Sequence, residues 1–250
     1  MSQNIYDDED FFNSYAQLLR SQQGLEGAPE WPDLETLLPD LAGKTVVDLG
    51  CGYGWFCRAA RRKGAAEVRG FDLSEKMLAR ARGFGDDPAI IYSRADLETL
   101  ELPENCFDLV YSSLALHYIA DLAGLFGRIF KALKSGGSLV FSMEHPIYTA
   151  PLRQQWEMRN GELVWPLSNY LNEGERRTNW LADGVIKQHR TEGTILNLLI
   201  ETGFNLRHVC DWGPSPELVR AEPDLARERE RPAFLLVKAI RQSQPGICAC

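Results

Sequence analysis

Ten residues, Thr45-Val46-Val47-Asp48-Leu49-Gly50-Cys51-Gly52-Tyr53-Gly54, carry the densest chemical signal in this chain. A short apolar strand enters a turn with glycine at every second position. Such a turn lets the backbone approach a ligand where a Cβ would collide. An acid closes the next apolar run, Glu67-Val68-Arg69-Gly70-Phe71-Asp72, at the place where a carboxylate grips a ribose. Strand, glycine turn, helix, strand and terminal acid are the parts of a nucleoside-binding βαβ unit. Asp48, two residues before the first glycine, faces the same ligand and suits one that carries positive charge.

The spacing separates the nucleoside classes. A dinucleotide turn reads G-x-G-x-x-G, and here its third position falls on Trp55, with Gly54 one residue early. No G-x-x-x-x-G-K-[ST] run is present, so a nucleoside triphosphate has no phosphate cradle. An acid followed by G-x-G-x-G resembles the first motif of the class I methyltransferases, which use S-adenosylmethionine (SAM). The resemblance continues in order over residues 43–143, through Gly70-Phe71-Asp72-Leu73-Ser74, Arg94-Ala95-Asp96-Leu97, Phe107-Asp108-Leu109-Val110-Tyr111-Ser112-Ser113 and Leu133-Lys134-Ser135-Gly136-Gly137-Ser138-Leu139-Val140.

That resemblance implies roles. Asp72 holds the ribose hydroxyls, Leu73 lies against the adenine, and Asp96 sits near the adenine amino group. Asp48 and the turn residues Gly50, Cys51 and Gly52 address the methionine end, while Met77, Leu97, Ser112 and Ser113 complete the cofactor contacts. Tyr15 and Arg20 on an N-terminal helix close over the methionine carboxylate. A sulfonium leaves as a neutral thioether, so no acid is needed. Alignment of acceptor, methyl and sulfur can supply up to ~7–11 kcal/mol of the acceleration. A missing catalytic triad is therefore no objection.

The acceptor side rests on residue type and place. His117 follows the fourth strand and His145 follows the fifth. His189 precedes a late helix and swings inward with the segment before it. Histidine is the usual base near neutral pH, so these three are the catalytic candidates. Leu114, Tyr148, Trp31, Trp156 and Trp180 are the expected apolar walls of the acceptor pocket, beside His117 and His145. His208 lies within a strand and reads as structural.

The elements that position these residues follow from periodicity. Apolar strands alternating with helical stretches at 55–63, 74–82 and 121–134 imply a mostly parallel sheet covered on both faces. Ligands of such sheets sit beyond the carboxyl ends of the strands, where Gly50, Asp72, Asp96 and Ser112 all fall. The expected fold is α/β, a Rossmann-like doubly wound sheet of the class I methyltransferase type with an antiparallel last strand. A single domain is expected: a helical cap over residues 1–42, a SAM-binding core at 43–143, an acceptor-site insertion at 144–190, the rest of the sheet at 191–240 and a tail at 241–250. The cap reads as a helix over 10–19, a loop over 24–32 and a helix over 33–38. The insertion shows no regular pattern but is rich in tryptophan and tyrosine.

Composition narrows the partners. A chain of 250 residues with a net charge of −8 argues against a broad nucleic-acid or anionic-membrane footprint. No run approaches ~20 apolar residues, and the acidic polar start resembles no leader peptide, so a cytoplasmic protein is expected. The six cysteines form no C-x-x-C pair and match no zinc spacing; no metal is expected, and Cys248-Ala249-Cys250 reads as a loose tail. The Asn/Asp-Pro-Pro-Tyr/Phe motif of adenine and glutamine amino-methylation is absent. A small organic acceptor is the expectation. Ile5-Tyr6, Phe11-Phe12, residues 27–32 and Gly54-Trp55-Phe56 are also similar to fungal dithiol S-methyltransferases of epipolythiodioxopiperazine metabolism and to bacterial members of unknown substrate. That similarity favours a thiol acceptor, with O- or N-methylation and a catalytically silent SAM-binding partner as alternatives.

Overall fold

Helix formation at the front of the chain is interrupted. α1 (Glu9–Tyr15) is capped by Asp8, whose carboxylate accepts from the Phe11 N–H, and a turn separates it from α2 (Leu19–Gln22). The uninterrupted helix expected over 10–19 is thus two short ones. α3 (Trp31–Thr36) starts earlier than expected because Pro32 fits the first turn of a helix, where no N–H is needed. These residues belong to a computed structural model that describes residues 3–242. The Cys248–Cys250 tail lies outside the described residues.

The sheet core follows as β1 (Thr45–Leu49), α4 (Trp55–Arg62), β2 (Glu67–Asp72), α5 (Glu75–Arg82), β3 (Ile90–Arg94) and β4 (Phe107–Ser113). Then come α6 (Leu122–Ala132), β5 (Leu133–Glu144) and the short α7 (Pro146–Thr149). Side-chain caps start the helices where expected: Ser74 Oγ accepts from the Met77 N–H at 3.1 Å, and Asp121 Oδ1 from the Gly124 N–H at 2.9 Å.

Residues 144–190 differ from expectation. They fold into two antiparallel hairpins, β6 (Glu157–Arg159) with β7 (Glu162–Val164), and β8 (Gly174–Trp180) with β9 (Ala182–His189). Asn160 and Gly161 both take positive φ, 52° and 86°, which is the two-residue turn that Asn-Gly favours. α8 (Glu192–Thr202), β10 (Phe204–Trp212), α9 (Pro216–Ala221) and β11 (Phe234–Arg241) complete the chain.

The main sheet has the order β10-β11-β5-β4-β1-β2-β3. β1 through β5 pair in parallel, and β11 runs antiparallel to both β5 and β10. Period-two alternation feeds two cores. Val47, Val110 and Leu139 pack with Phe126, Ile129 and Leu199 on one face. Val46, Leu109 and Val140 pack with Phe56, Cys57 and Leu78 on the other. Tyr111 stacks on Phe56 with centroids 3.5 Å apart, fixing α4 against the sheet. No helix among the described residues is long and apolar enough to cross a membrane.

Gly54 carries the entry into α4. It caps that helix at φ 67°, and a Cβ there would lie 2.2 Å from the Tyr92 hydroxyl oxygen. We expect Gly54→Ala to cost about 2–4 kcal/mol, from left-handed backbone plus overpacking. Urea unfolding of both proteins checks this; an unchanged midpoint would mean the Tyr92 ring yields freely.

Candidate active site

A cavity of about 740 Å³ lies beyond the carboxyl ends of the parallel strands. Its floor is the sheet core, and its roof is built from two segments far apart in sequence. Gln3 joins them: its Nε2 donates to the Gly184 carbonyl at 3.1 Å, and its Oε1 accepts from the Ile186 N–H at 2.9 Å. Asp7 pins the front segment to α5, accepting from the Ser74 hydroxyl at 2.5 Å and the Lys76 N–H at 3.1 Å. Trp180 packs edge-on against Phe11 and Tyr15, with centroids 5.7 and 6.4 Å away.

At the floor, Asp72 organises the glycine turn. Its two carboxylate oxygens accept from the Gly52 N–H at 2.8 Å and the Ser74 N–H at 2.9 Å. Asp72 touches the cavity but lies deep in the fold, and burial pushes its carboxyl up to about 6 against the pull of those N–H groups. Gly50, at φ 77°, lets Ala115 close over it; a Cβ there would come within 2.4 Å of the Ala115 methyl. Leu114 holds a left-handed φ of 52° to make that approach, a strained conformation for a branched side chain. A Cβ on Gly52 would meet nothing within 4 Å, so the turn borders open space.

Of the expected cofactor residues, Tyr15, Arg20, Gly50, Gly52, Asp72 and Leu73 line the cavity, as do Met77, Asp96, Leu97 and Ser113. Arg20 is held by Glu30, which is 1% exposed, through Nη2 at 3.0 Å from each carboxylate oxygen. Asp48, Cys51 and Ser112 do not line it. Asp48 is buried beneath the turn, and burial pushes its carboxyl up to about 7 although the Cys57 thiol donates to it at 3.3 Å. Cys51 is buried beside it. The Ser112 hydroxyl donates to the Leu49 carbonyl at 2.7 Å, tying β4 to the end of β1. These three support the wall from behind.

The acceptor candidates divide. Leu114, His117, Tyr148 and Trp180 line the cavity; His145, His189, Trp31 and Trp156 do not. Trp31 packs on Phe56 in the core below, centroids 6.2 Å apart, and Trp156 packs edge-on against Trp165 at 5.5 Å. His145 caps α7: its Nδ1 accepts from the Ile147 N–H at 3.1 Å, so its Nε2 carries the proton that meets Asp211 Oδ1 at 2.9 Å. His189 sits between the Thr149 hydroxyl, 2.8 Å from Nδ1, and the Tyr170 carbonyl, 2.9 Å from Nε2, so Nε2 donates and Nδ1 accepts. Even His117 has its Nδ1 lone pair engaged, by the Glu144 N–H at 3.3 Å. Burial pushes the His117 imidazole down to about 4, so near neutral pH it is an uncharged ring with its proton on Nε2. All three histidines are therefore held as hydrogen-bond donors through Nε2, without a spare lone pair for base catalysis.

Other groups around the acceptor end have no precedent in the sequence reading. Glu144 ends β5, and one oxygen pairs with the fully buried Lys187 at 2.5 Å while Oε2 has no partner. Lys187 Nζ lies 5.1 Å from the Trp180 ring centroid. The Tyr6 and Tyr118 hydroxyls meet at 3.2 Å. Arg231 lines the cavity just before β11. Strand register was the available signal for Glu144: it pairs with Phe234 of β11, and both line the cavity.

Comparison with known proteins fixes the family. Residues 47–141 match the model of a methyltransferase domain. An S-adenosylmethionine dependent methyltransferase of Mesorhizobium loti, known from a crystal structure, is 56% identical. It superposes with a TM-score of 0.84, covering 87% of this chain and all of that one. The chain belongs to the SAM-dependent methyltransferases. An uncharacterized protein of Haemophilus influenzae is 35% identical over 94% of this chain and 96% of its own length. The malonyl-[acyl-carrier protein] O-methyltransferase of Pectobacterium atrosepticum is 34% identical, over 51% of this chain and 49% of that one. The methyltransferase fold and its cofactor, SAM, are thus established for this chain.

The floor residues fit that cofactor. The open space above Gly52, the carboxylate of Asp72 and the held guanidinium of Arg20 offer partners for backbone-close, hydroxyl and carboxylate groups. Cationic SAM favours the ionised form of Asp72, whose carboxyl stands at about 6 without ligand. Binding therefore lowers that value, and affinity falls as pH drops through about 6, by up to about tenfold per pH unit for one proton. Asp48, pushed up to about 7, acts with the same sign. Calorimetric titration with SAM from pH 5 to 8 should show this loss, and Asp72→Asn should weaken binding about tenfold or more at pH 8. A flat profile in the parent protein would remove Asp72 from the ribose site.

Proposed function

We propose that this methyltransferase methylates a small organic acceptor enclosed in the cavity, between the glycine-turn floor and the aromatic roof. The observation that supports this is continuity: Gly50, Gly52 and Asp72 share one cavity with His117, Tyr148 and Trp180. Bound SAM supplies a methyl on a sulfonium sulfur. The chain's own residues hold and orient the acceptor, and the roof excludes water. His117 donates through Nε2, and the rings of Tyr148 and Trp180 offer flat apolar walls.

A thiol is the nucleophile that asks least of such a site. With pKa ~8.5 it is partly ionised near neutrality and needs no dedicated base. The engaged histidine lone pairs support that reading. A second reading has its own observation. Glu144 Oε2, a buried oxygen without a partner on a residue that lines the cavity, supports proton transfer from an amine or hydroxyl.

Label transfer from methyl-labelled SAM to matched thiols, phenols and amines separates these, read by mass spectrometry with the parent and Glu144→Gln proteins. Transfer to thiols that survives Glu144→Gln within a few-fold supports the first reading. Transfer to amines or phenols, lost by about 10²–10⁴ in the variant, supports the second. A thermal shift with SAM and S-adenosylhomocysteine but not with NAD confirms that the variant is folded and loaded. Loading without transfer to any acceptor would instead favour a catalytically silent SAM-binding partner.

A further inference from the structure

Two oppositely charged side chains at the acceptor end are each held by one partner and left incomplete. Glu144 pairs with Lys187 at 2.5 Å, and its Oε2 has no partner. Arg231, only 6% exposed, pairs with Glu228 through Nη2 at 3.0 Å, and its Nε and Nη1 have no partner. Both residues line the cavity. The Tyr148 ring lies near both pairs, with its centroid 5.8 Å from Lys187 Nζ and 4.5 Å from the Arg231 guanidinium carbon.

Burying a charged group without full hydrogen bonding is costly, so such groups are normally completed by a neighbour or a ligand. Arg231 illustrates why a ligand fits here. Aromatic rings of Tyr148 and Trp165, 4.5 and 4.3 Å from the guanidinium carbon, cover its surface. With Nη2 on Glu228, what is left is the buried, unpartnered Nε and Nη1, and a guanidinium edge matches a planar oxyanion. The charge around it selects further. Glu228 already shares the guanidinium charge, and Glu144 and Glu175 line the same cavity. A dianion such as phosphate would meet several carboxylates with one half-neutralised cation. A carboxylate monoanion meets far less repulsion.

We propose that the methyl acceptor is a small carboxylic acid, whose carboxylate docks on Arg231 and whose N–H, O–H or S–H donor faces Glu144. This rests on the small-acceptor reading above and holds whichever atom takes the methyl. Glu144 and Arg231 then hold the acceptor at two points.

The test uses full-length protein saturated with S-adenosylhomocysteine. It is titrated with mercapto-, hydroxy- and aminobenzoic and phenylacetic acids, their primary amides and their phosphonate analogues. Thermal shift ranks the compounds and calorimetry gives Kd. We expect at least one acid to bind about tenfold or more tighter than its own amide, the usual worth of a charge-assisted contact. Phosphonates should bind more weakly than the matching acids. In Arg231→Met the acid-to-amide ratio should fall to within about twofold, and Arg231→Lys should restore part of it. Absence of any acid-over-amide preference across the panel, or a preference untouched by Arg231→Met, overturns the proposal. A preference for phosphonates overturns it in favour of a phosphate-bearing acceptor. A retained S-adenosylhomocysteine shift in Arg231→Met shows an intact fold and cofactor site. Loss of that shift in the parent protein would strike at the methyltransferase reading instead.

Discussion

The Asp72 carboxylate is the junction on which the site depends. It accepts from Gly52 in the turn after β1 and from Ser74 at the start of α5, so one anion sets the distance between them. Hydrogen bonds to a charged acceptor are worth roughly 1.5–3 kcal/mol each, enough to offset much of the burial that raises its pKa. The chain of contacts then continues outward. Ser74 caps α5 and also donates to Asp7, Asp7 fixes the front segment, and Gln3 of that segment binds β9. Floor and roof are thus coupled through side chains that also hold the backbone. A change at Asp72 therefore reaches both the cofactor floor and the roof above it.

The roof obeys a different rule. Its polar groups come in pairs, Glu144 with Lys187 and Arg231 with Glu228, set among the rings of Tyr148, Trp165 and Trp180. A buried ion pair gains little net stability over an apolar replacement, because both ions lose water. Lys187, with no exposure at all, is an expensive residue to keep for stability alone. Leaving one free oxygen on Glu144 and two free nitrogens on Arg231 raises that cost further. Such an arrangement makes physical sense where a bound molecule completes it.

The legible and illegible parts of the sequence differ in physical kind. The sheet, its order of elements and the places of Gly50, Asp72 and Asp96 could be read because backbone geometry dictates them. Only glycine tolerates the approach of Ala115 at Gly50, and strand ends place the acids. His145 drew attention by residue type, yet its ring is consumed in capping α7 and meeting Asp211. Its neighbour Glu144, one step along β5, reaches the cavity instead. Trp31 misled in the same way, since a large aromatic beside the nucleotide core serves packing against Phe56 as readily as a pocket wall. The β8–β9 hairpin was hidden because polar residues fill its inward positions: Arg176, Thr178 and Lys187 are buried where an apolar alternation would have announced a strand. The three-residue strands β6 and β7 bury no side chain, so no inward face marked them.

The division also separates the cofactor floor from the acceptor wall. The matched domain ends at residue 141, before Glu144, Tyr148, Trp180 and Arg231. Cofactor binding uses strand ends and a glycine turn, which any member must keep to hold the same molecule. The acceptor wall draws instead on the front segment, the hairpin β8–β9, the end of β5 with the short helix after it, and the stretch entering β11. On the proposed reading, the acceptor end is set by charged pairs and rings, with one unpaired carboxylate oxygen on Glu144 and one incompletely paired guanidinium on Arg231.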